Sequence, residues 1–133
     1  MLSLREALLH LGRYTQELLS PHLQKAEQAF QKCKKPIIIE DDGLFIDSLN
    51  GFPGPYSSYV FKTIGNNGIL QLLKHNRQAK FCSIIFYYDN KNSKSFEAKI
   101  DGTISKSQHG SGWGYDPIFI PKNFTKNYHI IFY

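Results

Sequence analysis

Sulfur is scarce in this chain of 133 residues, which carries two cysteines, Cys33 and Cys82, and one methionine. Two thiols this far apart in sequence build neither a disulfide framework nor a cysteine metal site. They read as reduced core thiols of a cytoplasmic protein. Long apolar runs are absent too. Nothing approaches the roughly 18 residues that a membrane helix needs, so no membrane partner is expected. The opening Met1-Leu2-Ser3-Leu4-Arg5-Glu6 places charges inside its apolar stretch and lacks a small-residue cleavage site, which argues against a secretory signal. There is no internal repeat or low-complexity segment. No basic run is interleaved with aromatics, as a single-strand nucleic-acid stripe would be. The net charge of +5 is spread over scattered lysines. That pattern argues against nucleic acid and leaves a phosphorylated small molecule as the fitting polyanion.

What is present is a folded domain. The chain is 41% hydrophobic and 14% aromatic, enough for a real core in a single domain over residues 1–133. Apolar residues at helical spacing predict a helix over residues 3–19. Ser20-Pro21 opens a second over about 21–34, with Ala26, Ala29, Phe30 and Cys33 inward, and Pro36 ends it. Ile37-Ile38-Ile39 predicts a buried, central strand. Glu40-Asp41-Asp42 follows directly, and three carboxylates cannot be buried without partners. The acids are therefore expected where the strand leaves the core, the usual ligand edge of an open α/β sheet. Carboxylates crowded in this way suit a hard divalent cation such as Mg²⁺.

Further along, Asn50-Gly51-Phe52-Pro53-Gly54-Pro55 is a rigid turn-rich loop, and Tyr56 to Ile64 has helical spacing. Ile64-Gly65-Asn66-Asn67-Gly68 does not follow a strand and lacks the phosphate-loop spacing, so it reads as a turn between helices before another over residues 69–74. Residues 80–88 predict a central strand, residues 89–92 a turn, and residues 96–104 a half-exposed strand. A glycine-rich loop over 109–114 leads to a last clear strand at Ile118-Phe119-Ile120. The tail from Tyr128 to Tyr133 could add an edge strand. Ser57 and Ser58 have no His/Asp partner pattern, which argues against serine nucleophilic catalysis. Trp113 and Tyr115 suit either a base-stacking site or the capping of a sheet.

Three segments occur in order: Glu40-Asp41-Asp42-Gly43-Leu44, Leu49-Asn50-Gly51-Phe52-Pro53-Gly54-Pro55-Tyr56-Ser57 and Gly112-Trp113-Gly114-Tyr115-Asp116-Pro117-Ile118-Phe119. Over roughly residues 25–122 the chain resembles the inosine triphosphate pyrophosphatase family, in particular its archaeal branch. Those enzymes hydrolyse non-standard purine nucleoside triphosphates. The resemblance implies an α/β fold with a mixed central sheet and flanking helices in two lobes, a Mg²⁺ cofactor, a homodimer, and inosine, deoxyinosine or xanthosine triphosphate as substrate. It implies Asp41 as general base and metal ligand, with Glu40 supporting the metal. Asp42 would stand beside the substrate where the family has serine or threonine. Trp113, Gly114, Tyr115 and Asp116 would bind the purine.

The resemblance stops at both ends, so the fold is expected in a form truncated there. The family's Thr-Gly-Asn-x-x-Lys strand has no counterpart before Pro36, and its helix glutamate falls on Ser20. No Ser-His-Arg segment surrounds His129. These departures imply an alternative: an impaired or inactive member that retains nucleotide binding or dimerisation alone.

Overall fold

The computed structural model describes residues 26–126. The helix predicted over 3–19, the start of the second helix and the apolar tail lie outside them. Residues 26–33 are helical (α1), ended by Lys34 in the left-handed conformation at φ 55°. The Lys34 N–H donates to the Phe30 carbonyl at 2.8 Å, closing the last turn. Lys32, Lys34 and Lys35 place positive charge at the negative end of this helix. Cys33 is exposed there and only Cys82 is buried, so one of the two expected core thiols is a surface thiol.

The strands are β1 (Ile37–Ile46), β2 (Gln78–Tyr88), β3 (Ser93–Ile104) and β4 (Phe119–Pro121). They form one four-stranded sheet in the order β1-β2-β3-β4. Two expectations for β1 are overturned. It lies at an edge of this sheet, not at its centre, and the acids sit in the middle of the strand. Burial runs opposite to the expectation: Ile38 is 69% exposed, whereas Leu44, Phe45 and Ile46 are all within 1% of complete burial. The isoleucine triplet supplied strand propensity, but Leu44-Phe45-Ile46 supplied the core. β2 is an inner strand, as its two apolar faces suggested.

Between β1 and β2 lie two 3₁₀ turns (Asp47–Leu49 and Gly54–Tyr56) and two helices, α2 (Ser57–Thr63) and α3 (Gly65–Leu72). Residues 65–68, expected as a turn, are the first turn of α3, and Ile64 alone joins the helices. Gly65 makes this abrupt joint possible at φ +61°, with open space around it. Strand β4 pairs antiparallel with β3 through Gly102↔Pro121, Thr103↔Ile120 and Ile104↔Phe119. A β-carbon on Gly102 would collide with the Ile120 carbonyl and the Phe119 ring, so only glycine admits this close approach. None of the helices among the described residues is long and apolar enough to cross a membrane.

By packing, the chain divides into two compact units. One holds Cys82–Ala98 and the chain up to Asp42; the other holds Gly43–Phe81 and the chain from Lys99 onward. In the first, Cys82, Ile84 and Phe86 are buried along alternate positions of β2, and Phe30 meets Tyr88 edge to face at 5.6 Å. The second contains the main core: Leu44, Ile46, Val60, Ile69, Leu73, Ala79, Ile104, Tyr115, Ile118 and Phe119. Arg77 braces that core's rim. Its guanidinium donates to the carbonyls of Ile104 (2.8 Å), Ser105 (2.6 Å) and Leu73 (3.3 Å), a fork that lysine could not reproduce.

Candidate functional site

Glu40, Asp41 and Asp42 are consecutive residues of an extended strand, so successive side chains leave opposite faces. Glu40 is exposed, while Asp41 and Asp42 are half-buried. The Asp42 N–H donates to Asp41 Oδ1 at 3.0 Å, which orients the Asp41 carboxylate against its own backbone. Such an acid is the right donor type for a hard cation. Among the described residues no group of three His, Cys, Asp or Glu side chains could hold a metal ion by itself.

The loop after β1 is built on Phe45. Asn50 turns the chain in the left-handed region at φ 52°, and Gly51 N–H closes back on the Ile46 carbonyl at 2.9 Å. Phe45 then forms an isolated antiparallel bridge with Pro53, whose peptide bond to Phe52 is cis. Gly54 follows at φ +53°, where an added β-carbon would lie 3.1 Å from the Phe45 ring. Ser57 locks the arrangement: its hydroxyl donates to the Gly54 carbonyl at 2.7 Å and accepts the Leu44 N–H at 2.9 Å. Both its roles are spent on backbone, which agrees with the reading that Ser57 is no nucleophile. The loop's rigidity, expected from its glycines and prolines, thus also depends on a serine that sequence reasoning left without a structural role.

The second segment is Gly112 to Pro117. The Asp116 N–H closes a turn on the Trp113 carbonyl at 3.1 Å, and Gly114 sits at φ +56°. Two side chains hold it, one from outside and one of its own. Asn66 Nδ2, from the start of α3, donates to the Gly114 carbonyl at 3.0 Å. Tyr115 turns inward, donates its hydroxyl to the Ser57 carbonyl at 2.8 Å, and meets Phe61 edge to face at 5.4 Å. Burial pushes the Tyr115 phenol up to about 12, so it stays a neutral donor at physiological pH. Trp113 is left 70% exposed, and Asp116 is half-buried. Of the two aromatics, Tyr115 therefore belongs to the core and Trp113 presents its ring to solvent.

A cavity of about 480 Å³ lies elsewhere in the second unit, lined by residues that include Asp47, Lys80, Asp101, Gly102, Lys122 and Phe124. None of the candidate site residues lines it. Sequence reasoning missed Asn66 and the structural part of Ser57. Their partners are 48 and 13 residues away, and no local pattern announces such bonds.

A four-stranded sheet with helices between its strands, an acidic stretch within its edge strand and a clamped Gly-Trp-Gly-Tyr-Asp loop define an α/β protein. The sequence profile of the Ham1 family matches residues 13–130, and the chain belongs to that family. It is 53% identical over 119 residues to a dITP/XTP pyrophosphatase of Korarchaeum cryptofilum, covering 88% of this chain and 63% of that protein. It is 46% identical over 101 residues to a dITP/XTP pyrophosphatase of Thermococcus kodakarensis, covering 74% of this chain and 54% of that protein. Among solved structures, the Ham1 protein of Staphylococcus aureus superposes with a TM-score of 0.67 at 30% identity, over 78% of this chain and 59% of that one. The chain thus spans little more than half the length of most of the curated relatives it matches.

Proposed function

We propose that this chain carries the catalytic and purine-binding part of a Mg²⁺-dependent nucleoside triphosphate pyrophosphatase acting on inosine, deoxyinosine or xanthosine triphosphate. The observation that carries the reading is the Trp113–Asp116 loop. It is pinned from two sides, yet it leaves one large aromatic face exposed beside a carboxylate. A planar ring offered to solvent on a rigid loop suits stacking on a purine, and a carboxylate accepts from ring N–H groups at the purine's edge. A 6-oxo purine differs from adenine by an acceptor where adenine has a donor. Discrimination therefore needs placed polar groups, which a fixed glycine-containing backbone can present. The dITP/XTP pyrophosphatase names of the relatives point to the same substrates.

In this reading Asp41 is the general base. It takes a proton from the water whose oxygen attacks the α-phosphorus; the bond from that phosphorus to the bridging oxygen breaks. Nucleoside monophosphate and pyrophosphate leave. Asp41 would also contribute an oxygen to Mg²⁺. Glu40, directed to the other face of the strand, adds negative charge nearby, and Asp42 stands beside the substrate. When bound, the ion supplies neutralisation of the triphosphate charge. The protein works in the cytoplasm, as a homodimer. A second reading, nucleotide binding without turnover, rests on Ser20 standing where the family's helix carries a metal-binding glutamate.

One experiment separates the two. Purified protein is incubated with inosine triphosphate and Mg²⁺, pyrophosphate is measured, and binding is followed by calorimetry, on the parent and on Asp41→Asn. The expected result is turnover in the parent that falls by at least about a hundredfold in the variant, in the range typical for loss of a general base. Binding without pyrophosphate release in the parent selects the second reading. Neither binding nor turnover rejects both.

A further inference from the structure

The clamp on the purine loop contains a residue whose side chain is costly to keep where it is. Asn66 occupies the second position of α3 and is 8% exposed. Gly114 offers a carbonyl, which can only accept, so the Asn66 amide nitrogen must face it, and the Nδ2–O distance of 3.0 Å fits that assignment. The amide oxygen then points away from the loop. Oδ1 is buried and has no hydrogen-bond partner among the described residues. Burying an unsatisfied acceptor is unfavourable, and a leucine or alanine here would avoid it. What the asparagine offers in return is a fixed direction for the Gly114 carbonyl. Gly114 lies between Trp113 and Tyr115 in a left-handed conformation, with open space where a side chain would be, so packing does not hold it. Tyr115 is already anchored through Ser57. The Asn66 bond fixes the Gly114–Tyr115 peptide, next to the Trp113–Gly114 peptide whose carbonyl the Asp116 N–H holds.

We propose that Asn66 is a positioning residue for base recognition, setting the Trp113 ring and the Asp116 turn through the Gly114 carbonyl without touching the substrate. This deepens the purine-loop reading above and rests on it.

The test uses Asn66→Asp and Asn66→Ala. Aspartate matches the shape of asparagine, and its ionised carboxylate cannot donate to Gly114; alanine removes the donor without burying a charge and keeps the test open where the aspartate variant fails to fold. Trp113 is the sole tryptophan of the chain, which makes its fluorescence a direct reporter. Hydrogen exchange over residues 112–117 is measured without nucleotide. Affinities for inosine triphosphate and for inorganic tripolyphosphate are then measured with Mg²⁺. The expected result for Asn66→Ala, and for Asn66→Asp where it folds, is faster exchange in that segment, with the exchange of residues 44–46 unchanged. Inosine triphosphate affinity drops about tenfold and tripolyphosphate affinity does not. Unchanged exchange over 112–117 overturns the positioning role whatever the nucleotide does. Equal losses for both ligands also overturn it, because a general loosening would produce them. Faster exchange in a protein whose parent shows no inosine triphosphate binding at all points elsewhere: the clamp exists, but the purine reading, and with it a role in base recognition, falls.

Discussion

The β2–β3 hairpin turn and the Gly112–Pro117 loop are both polar connections, yet they are held in different ways. At the turn, Asp89 Oδ1 accepts the backbone N–H groups of Lys91 (3.0 Å) and Asn92 (2.6 Å), while Oδ2 accepts the Tyr87 hydroxyl at 3.0 Å. Every one of these partners is within three residues of Asp89. The Gly112–Pro117 loop is instead tied to residues 48 and 58 positions away, through Asn66 and Ser57. A turn of the first kind forms wherever its own sequence forms. A loop of the second kind has its shape only when the helices and strand around it are already packed. The loop assigned to chemistry is the one whose geometry the fold imposes, as preorganisation of a binding site requires.

Three substitutions probe that difference, in falling order of effect. Ser57→Ala should cost the most, because it orphans the buried Leu44 N–H and frees the Gly54 carbonyl in one step. A loss of about 1–3 kcal/mol in urea unfolding is expected. A loss no greater than that of a surface serine would break the comparison.

Tyr115→Phe keeps the ring, its packing on Phe61 and its burial, and removes one hydrogen bond, for about 1 kcal/mol. It also sharpens the comparison through pH. The folded phenol titrates near 12 against an ordinary 10, so the native state holds its proton more tightly. The resulting stability is fully present below pH 10 and is lost as pH rises from about 10 to 12. The parent should lose stability faster than Tyr115→Phe across that window, and parallel curves would refute the assignment.

Asp89→Asn should matter least, since the turn is exposed and asparagine can still accept from the same N–H groups. The carboxyl is held below its ordinary 3.8, first by the Asn92 N–H. Its small stabilising effect is therefore present above that value and disappears as pH falls through the lowered one. The variant should unfold slightly below the parent at pH 7, and that small gap should close as pH falls through the lowered value. A large deficit at neutral pH would mean that the turn has tertiary importance.

The elements themselves were largely readable. The two apolar faces of residues 80–88, the alternation along 96–104, the Asp89–Asn92 turn and the Pro36 stop are local patterns that local energetics honour. Order and burial within β1 were not readable, because strand propensity in Ile37-Ile38-Ile39 says nothing about which half of a strand other elements cover. Gly65–Gly68 reads from sequence as a turn between helices, and Gly and Asn are indeed poor helix formers. The packing of Ile69 and Leu73 into the core carries those residues into the helix regardless.

On its own the amino-acid sequence determined the family, the acidic stretch at Glu40–Asp42 and the aromatic pair in Gly112–Pro117, since these reside in residue identity and order. Only the tertiary structure decided that Tyr115 turns inward while Trp113 faces solvent. It also decided that Ser57 and Asn66 hold the loops around them. The reason is physical: a hydrogen bond between groups dozens of residues apart becomes favourable only after burial has removed both from water, and no local stretch of sequence contains that event.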